Sequence, residues 1–441
     1  MNKLFLGCIF FIATASAFIR PLVEGGHDAS VYLELMQVFL DNGIAYPLYR
    51  EPLYPLFLAF LKRCGLSPVQ VIAPIQNVLF FSCLFFFLKT LVGKASKKLL
   101  TISFCITLIP TFFITLNGAL YTESLSTSLI FLFLAFLLKF YCTRRFIFLV
   151  CAALCSALLV LCKGSFIYVH FFFPFVLLLF LFKKKRVLSF VLLLIGLGIF
   201  NKAVVSLWFG LREQGVVFSQ KVYTRGGAIF YGRTEYANRF DFFQDTPIYV
   251  LNAFSESTCK SIFGHQCEDY NFVAENNLGF YWFDLNNPHR ISDEELFKKA
   301  EKNIFDHPIR QVFFCGYELL RFVFHHSTNG FARLEILLVG DLIHSLPFTV
   351  FLKIFNLFLY LYIPVQCISK KRQFSNFKNQ IQAWPDSIKV GTLLYIAYSI
   401  SLLCTHGFVT TLVRMCYPVA PFLVVLNWQA YRIFSFKSMP D

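Results

Sequence analysis

The chain has 441 residues and a formal net charge of +15; 57% of its residues are hydrophobic and only 15% are charged. Soluble domains carry about 25% charged residues, so this composition excludes an ordinary soluble protein and predicts an integral membrane protein. The basic residues cluster beside apolar segments instead of forming a continuous patch, which excludes a nucleic-acid-binding surface.

Several apolar segments approach the roughly 20 residues that a bilayer-spanning helix needs. They are residues 3–20, 69–90, 99–116, 121–140, 146–162, 165–182, 187–208, 345–367, 388–405 and 411–430. We therefore predict an all-α polytopic membrane protein with about ten transmembrane helices, within a range of roughly 9–12. This prediction divides the chain into an N-terminal membrane module (1–208), an outer segment (209–344) and C-terminal transmembrane helices (345–441).

The short connectors between alternate spans are basic. Lys and Arg mark the cytoplasmic side of membrane proteins, which puts these connectors and both termini in the cytoplasm. Five acidic residues lie in 21–68 and fourteen in 209–308, so nineteen of the 25 fall in two segments predicted to lie outside. The short loops and the lack of low-complexity tracts and of Asn-x-Ser/Thr sequons suggest a bacterial inner membrane, which would put the acidic segments on the periplasmic side. The basic connectors contain Lys94, Lys97, Lys98, Arg144, Arg145, Lys183 to Arg186 and Lys370 to Arg372.

The first outer loop, residues 21–68, follows an apolar segment that resembles a signal peptide and that we expect to remain as the first span. Apolar residues recur at helical spacing between Asp28 and Asn42, and Pro52 opens a second run that continues to Lys62. Both runs are too short to span. We predict two helices that lie along the membrane surface.

The outer segment 209–344 has the mixed polarity of an α-rich soluble domain. Ser292 to Glu295 form a capping box that predicts a helix ending at Asp306-His307-Pro308. A second helix, 309–327, is too polar for a lipid-exposed span, so we place it at the outer interface, with a true span as the alternative. Cys259 and Cys267 are candidates for a disulfide in an oxidising compartment.

Glu123 and Lys163 are ionisable residues at the outer ends of apolar segments, where charge is costly. Each has a plain structural interpretation beside the functional one. A carboxylate at position 123 suits a helix N-terminus, and a lysine at position 163 can extend its ammonium group to water.

Several motifs together resemble the C-type glycosyltransferase superfamily, and most closely its family-39-related branch of protein O-mannosyltransferases and aminoarabinose transferases. Asp28 and Tyr32, followed by YREPLYPLFLAF, look like the first outer loop of that superfamily. The other similar motifs are LYTESL (120–125), LCKGSF (161–166), DHPIRQVFF (306–314) and RMCYPVAPF (414–422).

The resemblance implies an enzyme that uses polyprenyl-phosphate-linked sugars. Asp28 corresponds to the catalytic base that deprotonates the acceptor hydroxyl, although Ala29 stands where the family often has a second carboxylate. Glu123 matches an acidic position for acceptor or metal contact. Lys163 and Arg414 match basic positions for the donor phosphate.

Physical chemistry adds further candidates in the first outer loop. The leaving phosphate needs fixed positive charge, and Arg50 joins Lys163 and Arg414 for that role because guanidinium binds phosphate bidentately. Asp28 also suits the N-cap of the first surface helix. His27 and Glu51 are further candidates for contact with the acceptor or with a metal ion. The alternative for His27 is a local hydrogen bond with a structural role only. The tyrosines that could stack on sugar, or serve only as interfacial anchors, are Tyr32, Tyr49 and Tyr54.

The sequence thus predicts a membrane glycosyltransferase that moves a monosaccharide, with inversion, from a polyprenyl-phosphate donor to a lipid-linked or cell-surface glycan at the outer face. The sequence predicts no required cofactor, and a divalent metal ion at the site remains an open alternative. One alternative is a transporter or flippase of an amphipathic solute, for which inverted repeats and broken midplane helices would be expected. A second alternative is a surface-polysaccharide polymerase or ligase that uses a lipid-diphosphate donor.

Overall fold

The structure is a computed structural model in which most described residues are helical. It describes residues 7, 11, 14, 19–20, 27–42, 51–92, 120, 122–164, 166–181, 195–204, 206, 226–241, 243–254, 256–267, 289, 291–324, 335–336 and 386–409.

Two compact units divide the chain. The first comprises Met1–Gln220, Thr328–Ser401 and Tyr417–Asp441, and the second comprises Lys221–Ser327 and Leu402–Cys416. The continuous part of the second unit, 221–327, falls inside the segment 209–344 that the sequence assigns to the outer side.

Helices α1 (His27–Asn42) and α2 (Leu53–Arg63) pack against each other in the first unit. Helix α2 begins after Pro52 and ends at Arg63. Two residues later, Gly65 has φ 78°, the left-handed conformation that glycine adopts without strain. The amide of Leu66 then closes the end by donating to the Leu61 carbonyl at 3.1 Å. Both predicted loop helices are therefore present, and their position on a membrane surface stays a prediction.

Helices α3 (Pro68–Val92) and α4 (Thr122–Thr143) form the centre of the first unit. Their Phe80 and Phe131 rings meet edge to face at 5.7 Å. Two stretches of these helices, Pro68–Leu91 and Thr122–Thr143, are long and apolar enough to cross a membrane.

Helix α5 (Phe146–Cys162) pairs with α4 through a tight connector in which Arg144 has φ 57°. Phe146, Ile147 and Leu154 of this apolar helix are exposed, whereas its other side is buried. Exposed apolar sides of this kind occur on membrane helices and at protein–protein interfaces.

Helices α6 (Phe166–Leu181), α7 (Ile195–Val204) and α13 (Asp386–Val409) correspond to three further predicted apolar segments. The predicted count of about ten spans is not confirmed by these helices. The expected spans 99–116, 345–367 and 411–430 lie outside the described residues.

Ile19 and Arg20, which the sequence assigns to the end of the first span, instead form a short strand β1. It pairs antiparallel with β2 (Glu335–Ile336), with Ile19 opposite Ile336. The residue before a proline is pushed out of the helical region, and Arg20 precedes Pro21, so an extended backbone is the expected outcome there.

The second unit contains helices α8 (Gly226–Arg239), α9 (Asp245–Phe254), α10 (Glu256–Phe263), α11 (Asp293–Asp306) and α12 (Pro308–Phe324). The predicted capping box opens α11, since the Ser292 hydroxyl accepts the Glu295 amide at 3.2 Å. The break before Pro308 and the helix after it are also confirmed.

Candidate functional site

The turn between α5 and α6 carries Lys163 and Gly164. Lys163 leaves the helical conformation, with φ −156° and ψ 108°, while its amide still bonds the Leu159 carbonyl. Its own carbonyl accepts the Phe166 amide at 3.1 Å, and this bond starts α6. Backbone hydrogen bonds therefore join the turn to the end of α5 and to the start of α6.

Glu123 reaches this turn from the first turn of α4. Its Oε1 accepts from Lys163 Nζ at 3.2 Å, and the two side chains are 5% and 17% exposed. Thr122 Oγ1 donates to the other carboxylate oxygen at 3.4 Å. A carboxylate in the first turn also interacts favourably with the helix dipole, so the structural and functional interpretations of Glu123 are compatible.

Glu51 reaches the same turn from the residue before Pro52. Its Oε1 accepts the backbone amide of Gly164 at 2.8 Å. Two carboxylates distant in sequence thus converge on one lysine-glycine turn. We call Glu51, Glu123, Lys163 and Gly164 the lysine-turn site.

The charges at the lysine-turn site differ from those of a simple phosphate-binding pocket, because carboxylates lie beside the cation. The ammonium group of Lys163 already has a carboxylate partner in Glu123, and Glu51 adds a second negative group beside the turn. A phosphate that binds Lys163 must compete with Glu123 for it. Among the described residues, the site thus has one ammonium group beside two carboxylates.

Tyr54 and Tyr32 are buried, so neither ring offers a face for stacking on sugar. Their rings meet edge to face at 5.0 Å, and the Tyr54 hydroxyl donates to Gln76 Oε1 at 3.1 Å. Burial raises the pKa of the Tyr54 phenol well above its ordinary value, with nearby Tyr32 as a second cause. The predicted sugar contact by these two tyrosines is thus corrected, because they join α1, α2 and α3.

The side chains of the remaining predicted site residues lie outside the described part of the chain. His27 and Asp28 are the first two residues of α1, and their side chains lie outside the described part of the chain. Arg50, Tyr49 and Arg414 also lie outside it. Their roles stay predictions.

A second polar cluster, which sequence reasoning missed, lies within the helices of the first unit. His170 Nδ1 lies 3.0 Å from both Ser156 Oγ and Asn201 Nδ2, and its Nε2 lies 3.2 Å from the Tyr398 hydroxyl. Both ring nitrogens of His170 therefore have polar partners. We call these four residues the histidine cluster.

All four members of the histidine cluster are buried, and they come from α5, α6, α7 and α13. The available signal was a set of isolated polar residues in apolar segments, each costly in a bilayer unless it is paired. Their spacing along the chain gives no sign of which ones meet.

Cys259 and Cys267 form a disulfide in the second unit, with their Cα atoms 6.0 Å apart. Both are buried beside Ile248, with Leu251 and Phe263 packed against them. The pairing that the sequence left open is therefore present.

Among the described residues, no group of three or more His, Cys, Asp or Glu side chains is arranged to hold a metal ion. In comparisons with known proteins, no family model, no curated protein and no solved structure matches the chain. The likeness to C-type glycosyltransferases thus stays a prediction from the motifs.

Proposed function

We propose that the protein is a polytopic membrane glycosyltransferase with the lysine-turn site at its reaction centre. It transfers a monosaccharide from a polyprenyl-phosphate donor to a lipid-linked or cell-surface glycan at the outer face. The observation that carries the proposal is the meeting of Glu51, Glu123 and Lys163. The three residues come from three separate segments of the chain.

Membrane embedding is supported by the surface of the first unit. Two helical stretches are long and apolar enough to cross a bilayer, and α5 exposes Phe146, Ile147 and Leu154. An apolar side chain left in water forgoes about 1.5–3 kcal/mol relative to burial. The disulfide between Cys259 and Cys267 supports an oxidising, outer compartment for the second unit.

In the proposed reaction the acceptor hydroxyl attacks the anomeric carbon while its proton passes to the Asp28 carboxylate. The bond from that carbon to the phosphate oxygen breaks, and the polyprenyl phosphate leaves with the electron pair. Direct displacement inverts the anomeric centre. Lys163, with Arg50 and Arg414, stabilises the charge that develops on the leaving oxygen, and Glu123 holds the lysine in position.

A transfer assay tests this function. Purified protein in nanodiscs is given labelled polyprenyl-phosphate sugars, and wild type is compared with Asp28→Asn, Lys163→Gln and the exposed control Lys62→Gln. General-base loss lowers rates by about 10²–10⁴-fold, so we expect that loss for Asp28→Asn. We expect weaker donor use for Lys163→Gln and no change for Lys62→Gln. Equal transfer by wild type and Asp28→Asn would remove Asp28 from the mechanism.

The histidine cluster favours a second candidate function, transport of an amphipathic solute. Ionisable residues inside membrane bundles often line solute or proton pathways, and His170 is such a residue. Solute uptake into proteoliposomes that is lost in His170→Phe, together with no transfer from any donor, would establish transport in place of transfer.

A further inference from the structure

The second unit has a large exposed apolar face where α11 meets α12. Phe305, Ile309, Val312 and Phe313 are each between 56% and 82% exposed, and all four lie within nine residues. Ile309, Val312 and Phe313 follow one side of α12 at helical spacing. We call these four residues the apolar face.

The opposite side of α12 is fixed, so the apolar face cannot turn inward. Gln311 Nε2 donates to the Thr234 carbonyl and to Asn238 Oδ1, both at 2.9 Å. Phe314 packs on Tyr236 at 5.6 Å between ring centroids. These contacts attach α12 to α8 and leave the apolar face outermost.

The attachment to α8 also excludes α12 as a lipid-exposed span. Arg310 Nη1 donates to the Asn238 carbonyl at 2.7 Å, and α8 carries the exposed ion pair between Arg239 and Glu235. If α12 crossed the bilayer, α8 would enter it with these charges, each costing about 2.5–3.5 kcal/mol on insertion scales. A helix that lies along the surface keeps the charges in water and still buries the apolar residues.

We infer that the apolar face is the membrane-docking surface of the second unit, in contact with lipid acyl chains at the interface. The inference rests on the membrane embedding proposed above, which tethers both ends of segment 221–327 to apolar segments. Lys302 and Glu301 both flank Phe305 on this side of α11, so the apolar residues, not a basic cluster, carry the contact with lipid. A second copy of the chain fits less well, because stable interfaces use about 20–30 residues a side.

Site-specific photocrosslinking of the full chain in nanodiscs tests this surface. Benzoylphenylalanine replaces Val312 or, in a second variant, Phe313, both exposed enough to accept it. Lys299, exposed on a different side of α11, is the matched negative position, and Leu154 on the exposed apolar side of α5 is the positive one. Mass spectrometry then identifies the crosslinked partner.

We expect lipid adducts at Val312, Phe313 and Leu154 and none at Lys299. Lipid adducts at Leu154 but not at the two α12 positions would overturn the docking surface and leave membrane embedding intact. A dimer crosslinked through Val312 would overturn it in favour of a second copy. Absence of lipid adducts at Leu154 as well would overturn both the embedding and the docking surface.

Discussion

Lys163 has its ammonium group beside one carboxylate while the next peptide amide binds another. The contact with Glu123 is almost closed to water, so removing one partner leaves a desolvated charge behind. The lysine-turn site is therefore sensitive to single substitutions in a way that an exposed ion pair is not.

We predict that Glu123→Gln lowers the free energy of unfolding by about 1–3 kcal/mol, measured by thermal unfolding in detergent. Adding Lys163→Met should recover part of the loss, because no unpaired charge then remains. Glu294→Gln breaks the exposed pair with Lys298, whose Nζ–Oε1 distance is 3.6 Å, and should cost at most about 0.5 kcal/mol. Equal losses for the two pairs would contradict the burial argument.

The histidine cluster gives a second prediction for single residues. His170→Phe keeps an aromatic ring but leaves Ser156, Asn201 and Tyr398 without their shared partner, so we expect a loss of about 2–3 kcal/mol. Tyr398→Phe removes only one hydroxyl and should cost about 1 kcal/mol. An unchanged melting temperature for His170→Phe would show that the cluster contributes nothing to stability.

At the scale of single residues, the sequence identified ionisable residues in unusual surroundings but did not predict their contacts. Glu123 and Lys163 stood out because charge is rare in apolar surroundings. Their pairing depends on the packing of α4 and α5, which no local pattern encodes. The sequence left Tyr54 open between sugar contact and an interfacial anchor, and the structure buries it against α1 and α3.

Among the helices, α13 places Gly391 against leucine side chains of α3 and α4. A Cβ atom built on Gly391 would lie 2.8 Å from Leu138 Cδ2 and would also meet Leu91 Cδ1. A side chain at this position would therefore require Leu91 and Leu138 to move. Close packing through small residues is a common way to associate helices in membranes.

We predict a graded loss of stability at Gly391, small for Gly391→Ala because leucine ends can shift and about 1–3 kcal/mol for Gly391→Val. Gly196 in α7 has open space around its Cβ position, so Gly196→Ala should be neutral or stabilise by up to about 1 kcal/mol. Thermal unfolding of the purified variants measures both. A neutral Gly391→Val would mean that α13 does not pack where the structure has it.

The long apolar runs predicted α3 to α6 and α13 within a few residues, and the capping box predicted the start of α11, because each signal is local. The sequence did not predict α9 and α10 as separate helices within the outer segment. Both helices are short. The disulfide between Cys259 and Cys267, which packs against Ile248 of α9, stabilises them through contacts between residues that are not neighbours in sequence.

For the molecule as a whole, the disulfide belongs to the second unit alone. Closing a loop with a sequence separation of 8 should stabilise this unit by about 2–3 kcal/mol in the chain-entropy model. We predict that Cys259→Ser with Cys267→Ser, or reduction of the wild type, speeds limited proteolysis within 243–267. Helices α3 and α4 should stay protected.

The exposed free cysteine at position 64 provides the control, since Cys64→Ser should leave the digestion pattern unchanged. Equal acceleration of cleavage in both units would contradict a stabilising effect confined to the second unit.

The lysine-turn site also has a consequence for synthesis of the chain. Glu123 precedes its partner Lys163 by 40 residues, and Glu51 precedes Gly164 by 113. At about 5–20 residues per second, the ribosome makes the lysine about 2–8 s after Glu123. Glu51 and Glu123 are therefore both synthesised before the α5–α6 turn, which supplies the Gly164 amide to one carboxylate and the Lys163 ammonium group to the other. Completion of that hairpin is the step of biogenesis at which the site first exists.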